Sequence, residues 1–161
     1  MKPQRVFGVT GWKNAGKTTL VERLVAEFVR RGWRVSTIKH AHHDVDIDQP
    51  GRDSFRHRAA GASEVAVVGG LRYAIMREQV EPTLAEVLAR LAPADLILIE
   101  GYKREAHAKI EVRTGEAASL AATDPSIVAV AADTRPVEAH LPWFKRNDIA
   151  GIVDFIAGHV A

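Results

Sequence analysis

The chain reads as an α/β domain, a mostly parallel sheet flanked by helices, and three observations lead there. Short apolar, β-branched runs alternate with amphipathic helical stretches along most of the sequence. The first of those runs empties into a glycine-bounded loop, residues 11–18 (GWKNAGKT), and a helical pattern follows at once. The run DLILI at 95–99 is apolar without alternation, as expected of a strand covered on both faces. With 161 residues and 47% hydrophobic content, residues 1–161 suit a single domain able to bury its own core.

Taken in order, residues 5–10 (RVFGVT) form a buried first strand that stops at a glycine turn. Residues 18–31 have helical spacing, with Leu20, Val21, Leu24, Val25 and Phe28 on one face. Glu22, Arg23, Glu27, Arg30 and Arg31 fill the other, and Gly32 stops the helix. Residues 33–39 (WRVSTIK) alternate as a second strand. The polar stretch 40–51 has no period, and 52–61 suggests a short helix. Apolar runs at 64–68 and 71–77 flank Gly69-Gly70, a tight-turn signal. Pro82 favours the start of a helix at 83–91, with Leu84, Val87, Leu88 and Leu91 inward. Strands follow at 95–99, at 109–113 (KIEVR) and at 127–132 (IVAVAA), and a helix at 148–160 closes the chain. The stretches 69–81 and 105–114 look like a small antiparallel extension rather than βαβ units.

Composition narrows the class of protein. The formal net charge is +2, with Lys and Arg interspersed among acids, so no basic stripe argues for nucleic acid. There is no cysteine, hence neither a disulfide framework nor a thiolate metal site. No apolar run approaches the roughly 18–20 residues that span a bilayer, and the N-terminus leads into a strand without a signal-like stretch. The expectation is a soluble cytoplasmic protein that engages neither membrane nor nucleic acid.

The loop at 11–18 matches G-x-x-x-x-G-K-S/T in the strand–loop–helix setting that gives the motif its meaning. Gly11 and Gly16 permit backbone conformations that aim successive N–H groups at phosphate oxygens. The helix start adds its positive dipole end. Lys17 is placed to bridge β- and γ-phosphates, Thr18 to hold Mg²⁺, and Thr19 to touch the α-phosphate. A second acid is needed for the metal's water shell. Glu100, after four apolar residues and before Gly101, supplies it. Asp44, Asp46, Asp48 and Asp53 are further candidates, after the second strand, where a γ-phosphate-sensing loop belongs. His40, His42 and His43, with the nearby aspartates, have the composition of a Zn²⁺ or Ni²⁺ site. They lack helical H-x-x-x-H spacing, and a polar loop beside nucleotide or partner is the alternative.

Several of these runs together resemble the molybdopterin-guanine dinucleotide biosynthesis protein B family. They are residues 11–19 (GWKNAGKTT), Lys39 to His43 (KHAHH), Asp48 to Ser54 (DQPGRDS), Ala60-Gly61-Ala62 and Glu100 to Lys103 (EGYK), in the family's order. Arg52 stands where lysine is common in the family. The resemblance implies a P-loop protein that binds GTP with Mg²⁺, a weak GTPase at most. It would assist the guanylyltransferase that joins GMP to molybdopterin, and be a homodimer whose sheet crosses the dimer. It further implies that Gly11, Lys13, Asn14, Ala15, Gly16, Lys17, Thr18 and Thr19 bind the phosphates. Lys39, His40 and Asp53 would then flank the nucleotide, and Glu100 and Gly101 serve the metal and γ-phosphate side.

No N-K-x-D guanine motif is present, so guanine preference rests on the resemblance. Asp133, just after residues 127–132, is either a carboxylate for a guanine N1–H and amino group or a strand-end acid in solvent. No residue is an evident water-positioning base, and Arg52, Arg56 and Arg58 either act in cis or across a dimer or simply coat a helix. The rival readings are a nickel or zinc metallochaperone GTPase, a small-molecule kinase using the same loop, and a pure adaptor that holds nucleotide structurally.

Overall fold

The computed structural model describes residues 4–41, 46–115, 117–136 and 140–161. In chain order the elements are β1 (Val6–Thr10), α1 (Lys17–Arg30), β2 (Val35–Lys39), α2 (Asp53–Ala59), β3 (Glu64–Val68) and β4 (Tyr73–Arg77). They continue with α3 (Leu84–Arg90), β5 (Leu96–Glu100), β6 (Lys109–Arg113), β7 (Ile127–Ala132), β8 (Trp143–Phe144) and α4 (Ile149–His159). The chain gathers into two compact units, Met1–His40 with Arg90–Ala161, and Ala41–Ala89.

The first unit is a six-stranded sheet in the order β2-β5-β1-β6-β7-β8, parallel at every pairing. β1 lies inside it, with Phe7 and Val9 fully buried. β5 is buried at all five positions, which explains its unbroken apolar run. In a parallel sheet every strand ends on the same edge, so the segments after Thr10, Lys39, Glu100, Arg113, Ala132 and Phe144 share that edge. In open α/β sheets this is the ligand-binding edge.

α1 and α4 cover one face of the sheet. Leu20, Val21, Leu24 and Phe28 of α1 pack with Ile152, Val153 and Ile156 of α4, over Phe7, Val9, Leu98, Ile110 and Val112. α1 ends in a Schellman turn: Trp33 N donates to Phe28 O at 3.0 Å and Gly32 N to Val29 O at 2.9 Å. Gly32 adopts φ 86°, and the Phe28 and Trp33 rings meet at 5.1 Å. α4 starts at Asp148, whose side chain accepts from Gly151 N at 3.1 Å.

In the second unit β3 and β4 form an antiparallel hairpin, with Val68 opposite Tyr73 around the Gly69-Gly70 turn. α3 starts with a capping box, in which Glu86 accepts from Thr83 N at 2.8 Å and Thr83 Oγ1 accepts from Glu86 N.

The structure agrees with the expected class, and it corrects one detail. The antiparallel extension is the β3–β4 hairpin alone. β6, read as part of that extension, is an interior parallel strand between β1 and β7. Its charges alternate with apolar residues, and Lys109, Glu111 and Arg113 are all buried and paired. Lys109 Nζ donates to Glu105 O and Ser126 Oγ, and Arg113 Nη2 to Glu111 Oε2 at 2.8 Å. Glu111 also accepts from the amides of Leu120 and Ala121 at 3.0 and 3.1 Å. The two-residue β8 is too short to show a period in the sequence.

Candidate functional site

β1 delivers the chain to a tight curl before α1. Gly11 has φ 151°, and a Cβ there would lie 2.5 Å from the Val112 carbonyl oxygen of β6, so glycine alone fits. Asn14 is left-handed at φ 62°, and Gly16, at φ 95°, caps α1. Ala15 N closes the curl on Trp12 O at 3.2 Å. Lys17 folds back over it, with Nζ donating to Gly11 O at 3.1 Å and Trp12 O at 2.7 Å. The first turn of α1 holds no acid, which leaves its positive end uncompensated.

The electrostatics of this corner favour an anion. Burial lowers the Lys17 pKa, and the neighbouring Lys103 charge lowers it further. A ligand that brings negative charge relieves both effects. Lys103 itself lies 5.0 Å from the centre of the Trp12 ring, whose indole N–H donates to Ala118 O at 2.6 Å.

Glu100 ends β5 between β1 and β2, and its carboxylate is mostly buried. Oε1 accepts from Thr18 Oγ1 at 2.8 Å and lies 3.9 Å from Lys39 Nζ. A cleft of about 490 Å³ joins Lys13, Asn14, Lys17, Thr18, Lys39 and Glu100. Thr18 and Glu100, 82 residues apart in sequence, thus present adjacent hard oxygen donors beside a bed of ammonium groups.

Gly101 and His40 hold the neighbouring corner. His40 N donates to Glu100 O at 2.9 Å, and a Cβ on Gly101 would lie 3.0 Å from the Cβ of His40. The His40 imidazole stacks on the Tyr102 ring at 4.3 Å. His40 and Gly101 therefore join the exits of β2 and β5 by close backbone packing.

Asp133 follows β7 and is held by Arg146 through two bonds, Nε to Oδ1 at 2.9 Å and Nη2 to Oδ2 at 2.6 Å. That pairing lowers the Asp133 pKa below the ordinary carboxylate value. A second cleft, of about 440 Å³, runs from Gly16 and Thr19 to Asp133 and Arg146. Trp12, Lys103 and Arg146 were not among the expected site residues. The one available signal for Arg146 was its place just before the helix-capping Asp148.

The other expected residues lie in the second unit. Asp53 opens α2 there. Asp46 and Asp48 pair with Arg58 at 3.0 and 3.6 Å, and Asp48 accepts from Ser54 Oγ at 2.8 Å. Arg58 also meets Glu78 at 2.8 Å, so this arginine is already engaged by three carboxylates. His42, His43 and Asp44 lie outside the described residues. Among the described residues no group of three or more His, Cys, Asp or Glu side chains is arranged to hold a metal ion. No helix there is long and apolar enough to cross a membrane.

Comparison with known proteins gives this geometry a context. Residues 6–133 match the family model described as MobB, molybdopterin guanine dinucleotide synthesis protein B. The chain is 39% identical over 155 residues to a molybdopterin-guanine dinucleotide biosynthesis adapter protein of Haemophilus influenzae, covering 94% of this chain and 86% of that one. It is 37% identical over 159 residues to the protein so named from Escherichia coli, covering 94% and 90%. Among solved structures, the MobB protein homolog from Bacillus stearothermophilus superimposes with a TM-score of 0.73 at 31% identity, covering 98% of both chains.

Proposed function

The chain belongs to the MobB family, and on that premise we propose that it binds GTP with Mg²⁺ as an adapter in molybdopterin guanine dinucleotide biosynthesis. The role in making the molybdenum cofactor follows from the family. The observation that carries the nucleotide reading is the Thr18–Glu100 contact beside Lys17, made by residues 82 apart in sequence. It is the donor set that Mg²⁺ and a triphosphate require together.

The residues present fit the metal. Thr18 supplies a hydroxyl oxygen and Glu100 a carboxylate, both hard donors, and Glu100 now accepts the hydroxyl proton. Bound there, Mg²⁺ would neutralise charge on the β- and γ-phosphates. Gly11, Lys13, Asn14, Ala15 and Gly16 wrap the phosphates with backbone N–H groups, Lys17 spans them, and Thr19 meets the α-phosphate. Lys39 adds charge on the γ side, and His40 and Gly101 fix the approach of the two strand ends. Asp133 accepts from guanine. Hydrolysis in the isolated protein is slow: Arg58, one of the three candidate arginines, is already held by Asp46, Asp48 and Glu78.

The partner is the molybdopterin guanylyltransferase, and the protein works in the cytoplasm as a homodimer. The hairpin supports the dimer: Val68, Leu71, Tyr73 and Ile75 expose large apolar side chains on a two-stranded ribbon.

Calorimetry tests the reading. Wild-type protein should bind GTP more tightly with Mg²⁺ than without it, and in preference to ATP. It should also raise the yield of guanylyltransferase turnover when added to that enzyme. Absence of any heat with GTP and Mg²⁺ rejects the proposal.

A further inference from the structure

The cleft of about 440 Å³ beside the phosphate loop has its own chemistry. It lies between the first two turns of α1, at Gly16, Thr19 and Arg23, and the segments that follow β7 and β8, at Asp133, Arg146 and Asn147. Thr19, the residue assigned to the α-phosphate, lines this cleft together with Asp133, which gives ribose and base a continuous path between them. Asp133 stands at the end of β7, facing it.

Arg146 presents two parallel N–H donors to the two oxygens of Asp133, at 2.9 and 2.6 Å. Guanine offers the same pattern on one edge, N1–H beside the 2-amino group. Adenine has an acceptor at N1 and cannot make it. Both partners are partly exposed, Arg146 at 36% and Asp133 at 60%. Pairs of that exposure contribute little and exchange partners readily. The remaining guanidinium nitrogen, Nη1, lies 3.4 Å from where a Cβ on Gly16 would be, at the rim of the phosphate loop.

We infer that Arg146 occupies the guanine position on Asp133 in the nucleotide-free protein, and that an arriving guanine displaces it toward the phosphate loop. The inference rests on the nucleotide-binding reading and adds the residues that choose the base. Asp133 reads guanine, and Arg146 is a competitor that becomes a phosphate contact once displaced. Recognition of the base and grip on the phosphates are thereby linked through one side chain. Arg146 then exchanges one anionic partner for another, while the Asp133 carboxylate, 60% exposed, keeps two hydrogen bonds from the neutral base.

Competition binding against a fluorescent GTP analogue separates the outcomes. Arg146→Ala should bind guanosine, which has no phosphate, about three- to tenfold more tightly than wild type. The extra affinity that GTP has over guanosine should shrink in the same variant. Arg146→Lys, which cannot present two parallel donors, should behave toward guanosine like the alanine variant. Asp133→Asn should lose GTP and gain xanthosine triphosphate, because its amide donates to the 2-oxo group while its oxygen accepts from N1–H. Guanosine affinity unchanged or weakened in Arg146→Ala, with GTP still bound by wild type, overturns this inference alone. A wild type that binds no GTP overturns both it and the nucleotide-binding reading.

Discussion

Lys17 is held on two backbone oxygens of its own loop, Gly11 O and Trp12 O, so its charge is already centred where phosphate oxygens would lie. Hydrogen bonds to a charged group contribute about 1.5–3 kcal/mol. Lys17→Ala should therefore weaken GTP roughly ten- to hundredfold with an unchanged circular dichroism spectrum, and unchanged affinity would contradict the assignment. Glu100→Gln keeps an acceptor for Thr18 but removes the charge. The increment in GTP affinity supplied by Mg²⁺ should vanish while metal-free binding persists, as titrations with and without the metal would show.

Another residue sets an acid limit on stability. Burial, with Lys109 beside it, lowers the His107 pKa from 6.5 to about 4. Between those values the unfolded chain binds a proton that the folded protein refuses, so stability falls as pH drops from 6.5 to 4. His107→Leu should flatten that part of a plot of urea midpoint against pH. A decline as steep as in wild type would show that other groups carry it. At this scale the sequence singled out the loop glycines, Lys17, Thr18 and Glu100 as candidates, because a short motif and a strand-end acid are legible locally. The structure brings Lys17, Thr18 and Glu100 to one cleft. His40 was harder to read. Its neighbours in sequence suggested a ligand, whereas its ring lies on Tyr102, a contact that depends on β2 and β5 being adjacent.

Among the elements, α1 joins the site to the core. Its first turn meets the phosphate loop, and its last residues end in a turn that only a left-handed position allows. Gly32→Ala should destabilise the unit by about 1 kcal/mol, measured by chemical denaturation, and should leave GTP affinity within twofold. β6 gives the opposite lesson. Period-two charge usually marks a strand with one wet face, but Glu111 is fully buried and bonded to Arg113 and two amides. Glu111→Ala removes a buried carboxylate that accepts from Arg113 Nη2 and from the amides of Leu120 and Ala121, and should cost about 3–5 kcal/mol. A loss below about 1 kcal/mol would mean that water replaces the carboxylate without penalty. Charge pairing across loops of this length leaves no periodic trace, so the strand's interior place was invisible beforehand.

For the whole molecule, the parallel order β2-β5-β1-β6-β7-β8 explains how motifs scattered over the sequence converge. The loops after β1, β5, β7 and β8 share one sheet edge, so residues 17, 100, 133 and 146 belong to neighbouring clefts. Alternating strands and helices made the class legible, and the strand order was not, because apolar runs do not name their neighbours. The proposed dimer is tested at this scale. Replacing Leu71 and Ile75, both exposed, by lysine should shift the light-scattering mass toward that of one chain. A mass that does not move would place the interface elsewhere.

Trp12 gives the phosphate loop an optical signal of its own. Its indole N–H is fixed on Ala118 O and its face lies near the Lys103 ammonium, a charge that perturbs an excited indole. The other tryptophans sit elsewhere, Trp33 against Phe28 and Trp143 bonded to Ala132 O. Phosphates drawing Lys103 away from the ring should therefore change emission intensity from Trp12, and Trp12→Phe should abolish that change. Occupancy of the loop can then be followed in real time without a label, in mixtures where heat measurements would be confounded by a partner's chemistry.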